Sequence, residues 1–568
     1  MKRSPDSAKV PVDEHGLDSH GRMVAYFGSP VIDDQVDPIW SNLQAVTPTK
    51  ISGHPDASAT FKVLWDDRAL YVLAEVKDKN VSAQAEAPYR QDALSIFIDE
   101  NNDKTLDYGV DDAHFTINCE NVLYVGSGDA ERLYSTAYET EDGYVIQARI
   151  ALKTKPENGK VLGFDLLMND AVQSEQAGAL SVFDLTGNAW KDTGLFGEIL
   201  LTCKPEGAVS GRNPYDLMSL TKNARKLDFQ RYRNARIVKE AIEFAERVLS
   251  NNQVPQNCID EQYAVLKDAI RKLQLTDEAA AEKYFKPVPD EYRVESDRPG
   301  TIETLMYKAP NLNNGTDDKR MHVYLPYGYD ASDSSKKYNV LYLMHGGGEN
   351  EDLIFGGPGQ SRQLKKIVDN MIAKGDIEPL IVVTPTFYGG KNDVALFHEK
   401  LMHHIVPFVE TQYHTYAKSG SLDDLNASRA HRAFGGFSMG SVTTWYTFIH
   451  CLDYFKYYMP LCGDSWVYGR LGGGTKPVET AEYLANAARA SGYAPQDYYI
   501  FSATGDLDIA YPNLKPQIDA MKQLTDVFIY SSDTNKGNFY FIAAGGGSHA
   551  WTWVTPYIYN ILPDLFDH

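Results

Sequence analysis

A serine between two glycines is the residue of this chain with the clearest potential for chemistry. Ser438 lies in the pentapeptide Gly-Phe-Ser-Met-Gly, residues 436–440, directly after an apolar, strand-like run. On a strand-to-helix turn, such a pentapeptide presents its serine on a strained elbow, where close backbone contacts leave little room for side chains two positions before and after it. Residues 441–449 can continue as a helix whose N-terminal amides point at charge developing near the serine. Ser438 is therefore the candidate nucleophile.

A serine nucleophile needs a general base to take its proton and a carboxylate to orient that base. Towards the C-terminus, a strand-like run ends in Gly-Gly-Gly-Ser-His and offers His549 as the base. Between the two, another strand-like run ends in Thr-Gly-Asp-Leu-Asp and offers Asp506 and Asp508 as carboxylates. The order serine, aspartate, histidine is that of the α/β-hydrolases, whereas chymotrypsin-like and subtilisin-like enzymes use other orders.

The oxyanion that forms when a serine attacks a carbonyl group needs hydrogen-bond donors. The amide of Met439, directly after the serine, is one expected donor. Upstream, an apolar run ends in His-Gly-Gly-Gly, residues 345–348, and a hydrolase strand delivers its second oxyanion amide in this way. Gly347 is preferred over its two glycine neighbours as that donor. His345 is expected to support the turn rather than to catalyse.

Length and composition exclude several classes of protein. A chain of 568 residues is too long for one hydrophobic core, so two or three domains are expected. The net charge of −22 argues against nucleic acid or an anionic membrane as partner. A membrane-spanning helix needs a run of about 18 apolar residues, and the sequence contains none. Five widely scattered cysteines provide neither a disulfide framework nor a metal-binding pattern.

The composition divides the chain into four segments. Residues 1–22 are polar and predict a tail that lacks the apolar core of an intact secretory signal. Residues 23–203 contain short alternating strands separated by turn residues, which predicts an all-β sandwich. Residues 204–290 carry apolar stripes at three-four spacing, one of them including Phe244, and predict a helical linker. Residues 291–568 alternate strands with helices, which predicts a mainly parallel sheet with function at the carboxyl ends of its strands.

The strand-rich segment resembles carbohydrate-binding module family 9 over nearly all of residues 24–202. The motifs that carry the resemblance are Ile32-Asp-Asp-Gln-Val-Asp-Pro-Ile-Trp40, Leu70-Tyr-Val-Leu-Ala-Glu-Val-Lys-Asp78, Ile96-Phe-Ile-Asp-Glu-Asn-Asn102 and Asn188-Ala-Trp-Lys-Asp192. The resemblance implies a sugar held between two aromatic rings, which would be Tyr89 and Trp190 here. The chain departs from the family at Ser95 and Thr116, where sugar-binding members have other polar contact residues.

The same resemblance implies structural calcium in this segment. Carboxylates suited to calcium occur in the acidic stretch 99–103 and again at positions 111 and 112. Asp99 and Asp111 are the candidate ligands, and the alternative is that these carboxylates are solvated turn residues. No cofactor is expected to take part in catalysis.

The last segment resembles carbohydrate esterase family 1, an α/β-hydrolase family that includes feruloyl and acetylxylan esterases. The motifs that carry this resemblance are Val323-Tyr-Leu-Pro-Tyr-Gly-Tyr329, Leu343-Met-His-Gly-Gly-Gly-Glu-Asn350, Gly435-Gly-Phe-Ser-Met-Gly440 and Gly545-Gly-Gly-Ser-His-Ala-Trp551. The resemblance implies a catalytic triad of Ser438, Asp508 and His549. It favours Asp508 over Asp506, because Asp508 matches the Gly-x-x-Asp spacing of the family.

Several aromatic residues lie on loops that could approach the serine, and they suit a ferulate ring better than an acetate group. The candidates for substrate binding are Tyr388, Trp551 and Trp553, accompanied by Phe387 and Trp466. The sequence thus predicts a secreted or periplasmic serine esterase that releases ferulate from arabinoxylan or xylo-oligosaccharides. Two alternatives stay open: an acetylxylan esterase, and a carbohydrate-binding protein with an inactive hydrolase-like domain.

Overall fold

Two compact units make up the chain, Met1–Ala279 and Ala280–His568. The computed structural model describes residues 10–85, 87–227, 229–274, 276, 283–310, 315–388 and 394–566. Within these ranges, every helix is too short or too polar to cross a membrane. The first unit is rich in β-strands, and the second alternates strands with helices. The predicted multidomain organisation with a β-rich N-terminal part is therefore confirmed.

Twelve strands in the described part of the first unit form one curled sheet. They are β1 Met23–Phe27, β2 Thr49–Gly53, β3 Ser58–Trp65, β4 Ala69–Lys77, β5 Ala93–Asp99, β6 Ala113–Asn118, β7 Leu123–Ser127, β8 Leu133–Thr140, β9 Gly143–Ala151, β10 Val161–Val172, β11 Glu175–Ser181 and β12 Gly197–Thr202. Their order is β7-β6-β5-β10-β12-β1-β3-β4-β9-β8, with β11 beside β10 and β2 beside β11. The side chains of β4 and β5 share one apolar core although four strands separate them, so the sheet folds round that core.

Part of the predicted polar tail is folded onto this sheet. Leu17 forms an isolated β-bridge with Met23, the first residue of β1. Asp18 is buried, and its carboxylate accepts hydrogen bonds from the backbone N–H groups of His20 and Arg22. The Arg22 guanidinium also bonds this carboxylate at 2.8 Å. The charged side chain of Asp18 is thus buried with the partners that such burial requires.

In the described residues after these strands, the chain forms three helices: α1 Tyr215–Ala224, α2 Arg236–Leu249 and α3 Gln256–Arg271. They lie in the first unit, which extends into the predicted linker as far as residue 279. Charged pairs tie them to the sheet, because Arg149 on β9 bonds Asp216 on α1 at 3.0 Å and Arg68 bonds Asp260 on α3 at 2.7 Å. The predicted position of Phe244 on the buried stripe is wrong. The apolar pattern of α2 also allows a face rotated by one position, and that face is buried through Val238, Ala241, Ile242 and Ala245.

Eight strands in the described part of the second unit form a mixed sheet. They are β13 Thr301–Pro310, β14 Thr316–Leu325, β15 Asn339–Met344, β16 Leu380–Thr384, β17 Arg432–Phe437, β18 Tyr457–Leu461, β19 Tyr499–Gly505 and β20 Phe539–Ala544. Their order is β13-β14-β16-β15-β17-β18-β19-β20. The β13–β14 hairpin is antiparallel and pairs antiparallel with β16, whereas β16, β15 and β17 to β20 run parallel.

Helices connect the parallel strands. They are α4 Asp352–Phe355, α5 Gln363–Lys374, α6 Phe397–Lys400, a π-helical turn Leu401–Ile405, α7 Val406–Gln412, α8 Leu422–Ala427, α9 Met439–His450, α10 Gly472–Thr475, α11 Pro477–Ser491, α12 Tyr511–Met521 and α13 Trp551–Ile561. Alternate residues of β15 enter two different apolar cores, so both faces of the sheet are covered. In an open parallel sheet covered on both faces, the loops at the carboxyl ends of the strands are where ligands bind and chemistry takes place.

Candidate active site

The turn between β17 and α9 carries Ser438 on a strained backbone. Ser438 has a φ of 57°, in the region that residues with a side chain rarely adopt. A Cβ atom placed on Gly436 would lie 2.6 Å from the backbone of Gly440, and one on Gly440 would lie 2.5 Å from the carbonyl oxygen of Met344. Both positions flanking the serine therefore require glycine, for the steric reason that the sequence indicated. The turn fixes the serine hydroxyl at the carboxyl edge of the sheet.

His549 lies between the serine and a carboxylate, although the three residues come from three different loops. Its Nε2 atom is 2.8 Å from Ser438 Oγ, and its Nδ1 atom is 2.7 Å from Asp508 Oδ1. The carboxylate favours a proton on Nδ1, which leaves Nε2 free to accept the hydrogen bond of the serine hydroxyl. Asp508 is 3% exposed, and its Oδ1 also accepts a hydrogen bond from the Ala510 amide at 2.7 Å.

Asp506, the other candidate carboxylate, has a different position. Its Oδ1 atom accepts a hydrogen bond from the Gly546 amide at 2.7 Å. Gly546 belongs to the glycine run before His549 and has a φ of 76°. Asp506 thus fastens the loop that carries His549, while Asp508 bonds the imidazole itself. The structure brings Ser438, His549 and Asp508 into one hydrogen-bonded series.

The glycine turn after β15 is fastened on both sides of Gly347. The Gly346 amide donates to the Glu349 carboxylate at 2.7 Å, and the Gly348 amide donates to the hydroxyl of Tyr388. In the described part of the chain, no hydrogen-bond acceptor lies against the Gly347 amide or the Met439 amide. A Cβ atom on Gly347 would lie 2.7 Å from Met439 Sδ, so the two residues are neighbours. Gly347 thus lies against the side chain of Met439, and both residues keep an amide without an acceptor among the described residues.

His345 holds this turn in place through hydrogen bonds of both ring nitrogen atoms. It is fully buried, with Nδ1 2.8 Å from the carbonyl oxygen of Gly346 and Nε2 2.8 Å from Thr386 Oγ1. Burial lowers the pKa of His345 to about 4, so the ring is neutral near pH 7. A neutral ring can donate from Nδ1 and accept at Nε2, which matches its two neighbours.

The two aromatic candidates of the first unit lie in short 3-10 turns. Tyr89, in the turn Pro88–Arg90, is half-buried, and its ring centroid lies 5.1 Å from that of Tyr124 in an edge-to-face contact. Trp190, in the turn Ala189–Lys191, is 39% exposed. A series of ring contacts runs from Tyr124 through His114 to Tyr108, whose hydroxyl donates to the carbonyl oxygen of Ala189 at 2.7 Å. These contacts connect the neighbourhoods of Tyr89 and Trp190 within one unit.

Comparison with known proteins identifies both units. Residues 32–204 match the family model "Carbohydrate family 9 binding domain-like". Endo-1,4-beta-xylanase Y of Acetivibrio thermocellus is 47% identical over 282 residues, which cover 50% of this chain and 24% of that protein. A feruloyl esterase module from Clostridium thermocellum, solved in complex with sinapinate, is 46% identical over 50% of this chain and 95% of that chain, with a TM-score of 0.45.

A family 9 carbohydrate-binding module from Caldicellulosiruptor kristjanssonii, solved with cellotriose, is 42% identical over 34% of this chain and 100% of that chain, with a TM-score of 0.33. The family model and the sequence identities carry the assignment. The chain joins a family 9-like carbohydrate-binding module to a module of carbohydrate esterase family 1. It spans about a quarter of the length of the first curated relative that it matches.

In the family 1 module, Glu349 is a site residue that sequence analysis missed. Its carboxylate accepts the Gly346 amide and also the indole N–H of Trp551, whose Nε1 lies 3.0 Å from each carboxylate oxygen. Trp551 follows His549 by two positions, so Glu349 joins the glycine turn to the loop of the histidine. The acidic residue directly after three glycines was a visible signal, but its distant partner in the chain was not.

The aromatic candidates of the family 1 module differ in exposure. Tyr388 is 40% exposed and stacks on His345 with ring centroids 5.5 Å apart. Trp551 is half-buried and meets the ring of Phe437 edge-on at 5.3 Å. Trp553 packs on Phe285 with ring centroids 5.6 Å apart, and both rings pack against a buried apolar core of the second unit. Tyr388 is thus joined to the glycine turn by its hydrogen bond with the Gly348 amide, and Trp551 packs against Phe437, the residue before Ser438.

Phe387 and Trp466 are the two remaining aromatic candidates of the family 1 module. Phe387 is 1% exposed and belongs to the core, which excludes it as an accessible pocket wall. Trp466 is half-buried, and its carbonyl oxygen accepts the hydroxyl of Tyr446 at 3.0 Å.

Among the described residues of the family 9-like module, two groups of three carboxylates have oxygen atoms within 4.8 Å of one another. One group is Asp99, Asp111 and Asp112, and the other is Asp56, Asp78 and Asp170. In the first group, buried oxygen atoms of Asp99 and Asp112 have no hydrogen-bond partner among the described residues. Burial raises the pKa of Asp112 to about 7. Carboxylate oxygens without partners fit a divalent cation such as calcium, which takes oxygen ligands.

Ser95 and Thr116, the two residues at which this module departs from the family, are hydrogen-bonded to each other. The hydroxyl groups of Ser95 on β5 and Thr116 on β6 are 2.7 Å apart, and both side chains are buried. His114 Nε2 lies 3.2 Å from the Thr116 hydroxyl. Burial lowers the pKa of His114 to about 3, so this ring is neutral.

Proposed function

We propose that the second unit is an α/β-hydrolase in which Ser438, His549 and Asp508 form the catalytic triad of a serine esterase. The observation that carries the proposal is the bridging position of His549, 2.8 Å from Ser438 Oγ and 2.7 Å from Asp508 Oδ1. The strained elbow and the unengaged amides of Gly347 and Met439 support it, because acyl transfer needs both an exposed nucleophile and an oxyanion site.

The first half of the reaction follows from this geometry. Ser438 Oγ attacks the ester carbonyl carbon while His549 Nε2 takes the hydroxyl proton. The Asp508 carboxylate stabilises the resulting imidazolium through Nδ1. The amides of Gly347 and Met439 donate to the oxyanion of the tetrahedral intermediate, and such a donor contributes about 3 to 4 kcal/mol. His549 then returns the proton to the departing sugar oxygen, leaving the acyl group on Ser438.

Water completes the reaction by the reverse use of the same groups. His549 takes a proton from water, which attacks the acyl carbon, and then returns that proton to Ser438 Oγ as the acid leaves. The neutral His345 fixes the glycine turn in both halves without changing its charge near pH 7. The enzyme is thereby restored.

The substrate that we propose is a ferulate ester of arabinoxylan or of xylo-oligosaccharides. Tyr388 is exposed and bonded to the glycine turn, and Trp551 packs on Phe437, the residue before the serine, so both rings lie in the neighbourhood where an aromatic acyl group would bind. Burial of such a ring contributes at ~25 cal/mol per Å² of apolar surface. An acetyl ester of xylan is the second candidate, since a triad of this kind also accepts small acyl groups.

The family 9-like module would hold the polysaccharide through the rings of Tyr89 and Trp190, and calcium at Asp99, Asp111 and Asp112 would stabilise its fold. Exposure of Trp190 and the unpartnered carboxylate oxygens support these assignments. A polysaccharide substrate lies outside the cytoplasm, so action in a secreted or periplasmic setting is part of the proposal.

Steady-state hydrolysis tests the proposed activity. Methyl ferulate, 4-nitrophenyl acetate and acetylated xylan are compared as substrates for the wild type and for Ser438→Ala. Release of ferulate that disappears in the variant is the expected result. Activity confined to acetyl esters would transfer the proposal to acetylxylan, and no serine-dependent activity on any ester would leave a carbohydrate-binding protein with an inactive hydrolase-like unit.

A further inference from the structure

Of the two carboxylate oxygen atoms of Asp508, one accepts two hydrogen bonds and the other has no donor among the described residues. Oδ1 receives the imidazole Nδ1 and the Ala510 amide, both at 2.7 Å. Oδ2 is buried, and no described residue makes a hydrogen bond to it by distance and angle. A buried carboxylate oxygen without a donor is unfavourable, and a triad carboxylate must also be held in one orientation.

Cys462 lies beside this carboxylate. Its Sγ atom, a carboxylate oxygen of Asp508 and a ring nitrogen of His549 all lie within 4.8 Å of one another. Cys462 follows β18, between the strand of the serine and the strand that precedes Asp508, and its side chain is 1% exposed. Its amide bonds the carbonyl oxygen of Ala503 at 2.9 Å, which fixes the backbone.

The backbone of Cys462 adopts a conformation that favours glycine. Its φ is 55°, where a Cβ atom is unfavourable. A glycine would remove this strain but would also remove the thiol. Burial, and then the Asp508 carboxylate, raise the pKa of the Cys462 thiol well above its ordinary value. The sulfur therefore keeps its proton at neutral pH and can act as a donor.

Other buried groups surround the same carboxylate. The hydroxyl groups of Tyr557 and Thr504 are buried without partners among the described residues. Asp506 contributes a further negative charge nearby, as its effect on the pKa of Tyr557 indicates, but its Oδ1 is engaged by Gly546. The charged and titratable groups around Cys462 are thus Asp508, Asp506, His549 and Tyr557.

We propose that Cys462 is a positioning residue whose thiol, which lies beside the Asp508 carboxylate, turns its S–H toward Oδ2 to donate a hydrogen bond and so orients the carboxylate that bonds His549. This inference rests on the proposed function, because it assigns Cys462 a task within the triad. The thiol touches neither substrate nor reacting atoms, and it acts through Asp508.

The proposal has a defined consequence for pH dependence. In the active form, Asp508 is charged and His549 is neutral, so the pair carries a net negative charge. Protonation of the pair makes it neutral overall. Loss of a donor destabilises the negative form more than the neutral form, and the pair then binds its proton more tightly. The acid limb of kcat/KM must therefore move to higher pH when the thiol is removed.

Three variants test this expectation on the full chain. In Cys462→Ala, we expect kcat to fall roughly three- to tenfold with KM unchanged, and the acid limb to move up by roughly half a unit to one unit. Cys462→Ser keeps a donor and should lie closer to the wild type in both respects. Cys451→Ala is the matched control, because Cys451 is equally buried but lies at the far end of α9 from the serine.

A profile of Cys462→Ala that coincides with that of Cys451→Ala would overturn the proposal and would point to Thr504 or Tyr557 as the donor. A second measurement is independent of ester hydrolysis. The infrared difference spectrum of wild type minus Cys462→Ser should show an S–H stretching band at the low frequency of a hydrogen-bonded thiol. A band at the frequency of a free thiol would exclude the bond, whether or not the protein proves to be an esterase.

Discussion

The carboxylate of Glu349 and the indole of Trp551 are hydrogen-bonded across 202 positions of sequence, with Nε1 3.0 Å from each carboxylate oxygen. The same carboxylate accepts the Gly346 amide at 2.7 Å. One side chain therefore holds two loops in register: the glycine turn beside the serine and the loop that begins at His549. If Gly347 and His549 act as proposed, the relative position of the oxyanion donor and of the general base depends on this link.

Removal of the link should reduce kcat. In Glu349→Ala, we expect kcat for methyl ferulate to fall about tenfold or more with little change in KM, because a misaligned oxyanion donor weakens the transition state rather than substrate binding. Glu349→Gln can still accept the Gly346 amide and should lose less. Trp551→Phe removes the indole N–H together with part of the ring and tests the same link from its other end. An alanine variant with wild-type kcat would show that the two loops hold their positions without Glu349.

The two aspartates of the β19 loop should differ sharply in their effect on catalysis. Asp508→Asn removes the charge that stabilises the imidazolium and disturbs the tautomer, for which a loss of up to about 10⁴ in kcat is expected. Asp506→Asn keeps an acceptor for the Gly546 amide, so a loss below about tenfold is expected. Steady-state kinetics at one pH compares the two. Equal losses would mean that the carboxylate of Asp506 takes part in the charge balance of the triad.

The elbow could be predicted from sequence because its requirements are local. Backbone contacts within a few residues of Ser438 require glycine at positions 436 and 440. The other groups of the site come together because the parallel strands that carry them end at one edge of the sheet. The role of Gly347 as the second oxyanion donor stays a prediction. The engagement of the neighbouring amides by Glu349 and Tyr388 could not be predicted from the sequence.

Contacts between distant strands could not be predicted in the same way. Cys462 was read only as one of several scattered thiols, because nothing near it in sequence indicates that β18 ends beside Asp508. The buried face of α2 shows a different limit. Three-four spacing identifies a helix, but where two neighbouring stripes are both apolar, packing against α1 and α3 decides which one is buried.

Calcium should stabilise the family 9-like module. The oxygen atoms of Asp99, Asp111 and Asp112 converge within 4.8 Å, and a bound cation would offset their mutual repulsion. Calcium at about 100 times its Kd adds roughly 2.7 kcal/mol to the free energy of unfolding, so chelation should lower the Tm of this module. Asp112→Asn should reduce the effect of chelation, whereas substitution of the exposed Asp34 should not. A Tm that is the same with chelator and with added calcium would contradict the site.

Sugar binding by this module should depend on its two candidate rings. Trp190 is exposed enough to cover one face of a pyranose, whereas the hydroxyl groups of Ser95 and Thr116 bond each other and contribute little. Since most of the affinity would then come from ring contact, Trp190→Ala and Tyr89→Ala should each weaken binding of xylo-oligosaccharides by roughly tenfold or more.

Isothermal titration of the full chain measures this affinity, and hydrolysis of methyl ferulate provides the internal control. The catalytic rate on this small ester should be unchanged in both variants, because the substitutions lie in the other unit. Tyr416→Ala, which removes an exposed ring of the family 1 module, is the matched surface control. If wild type and both ring variants bind the oligosaccharides equally, or none of them binds, the two rings do not form a sugar site and attachment to polysaccharide must have another basis.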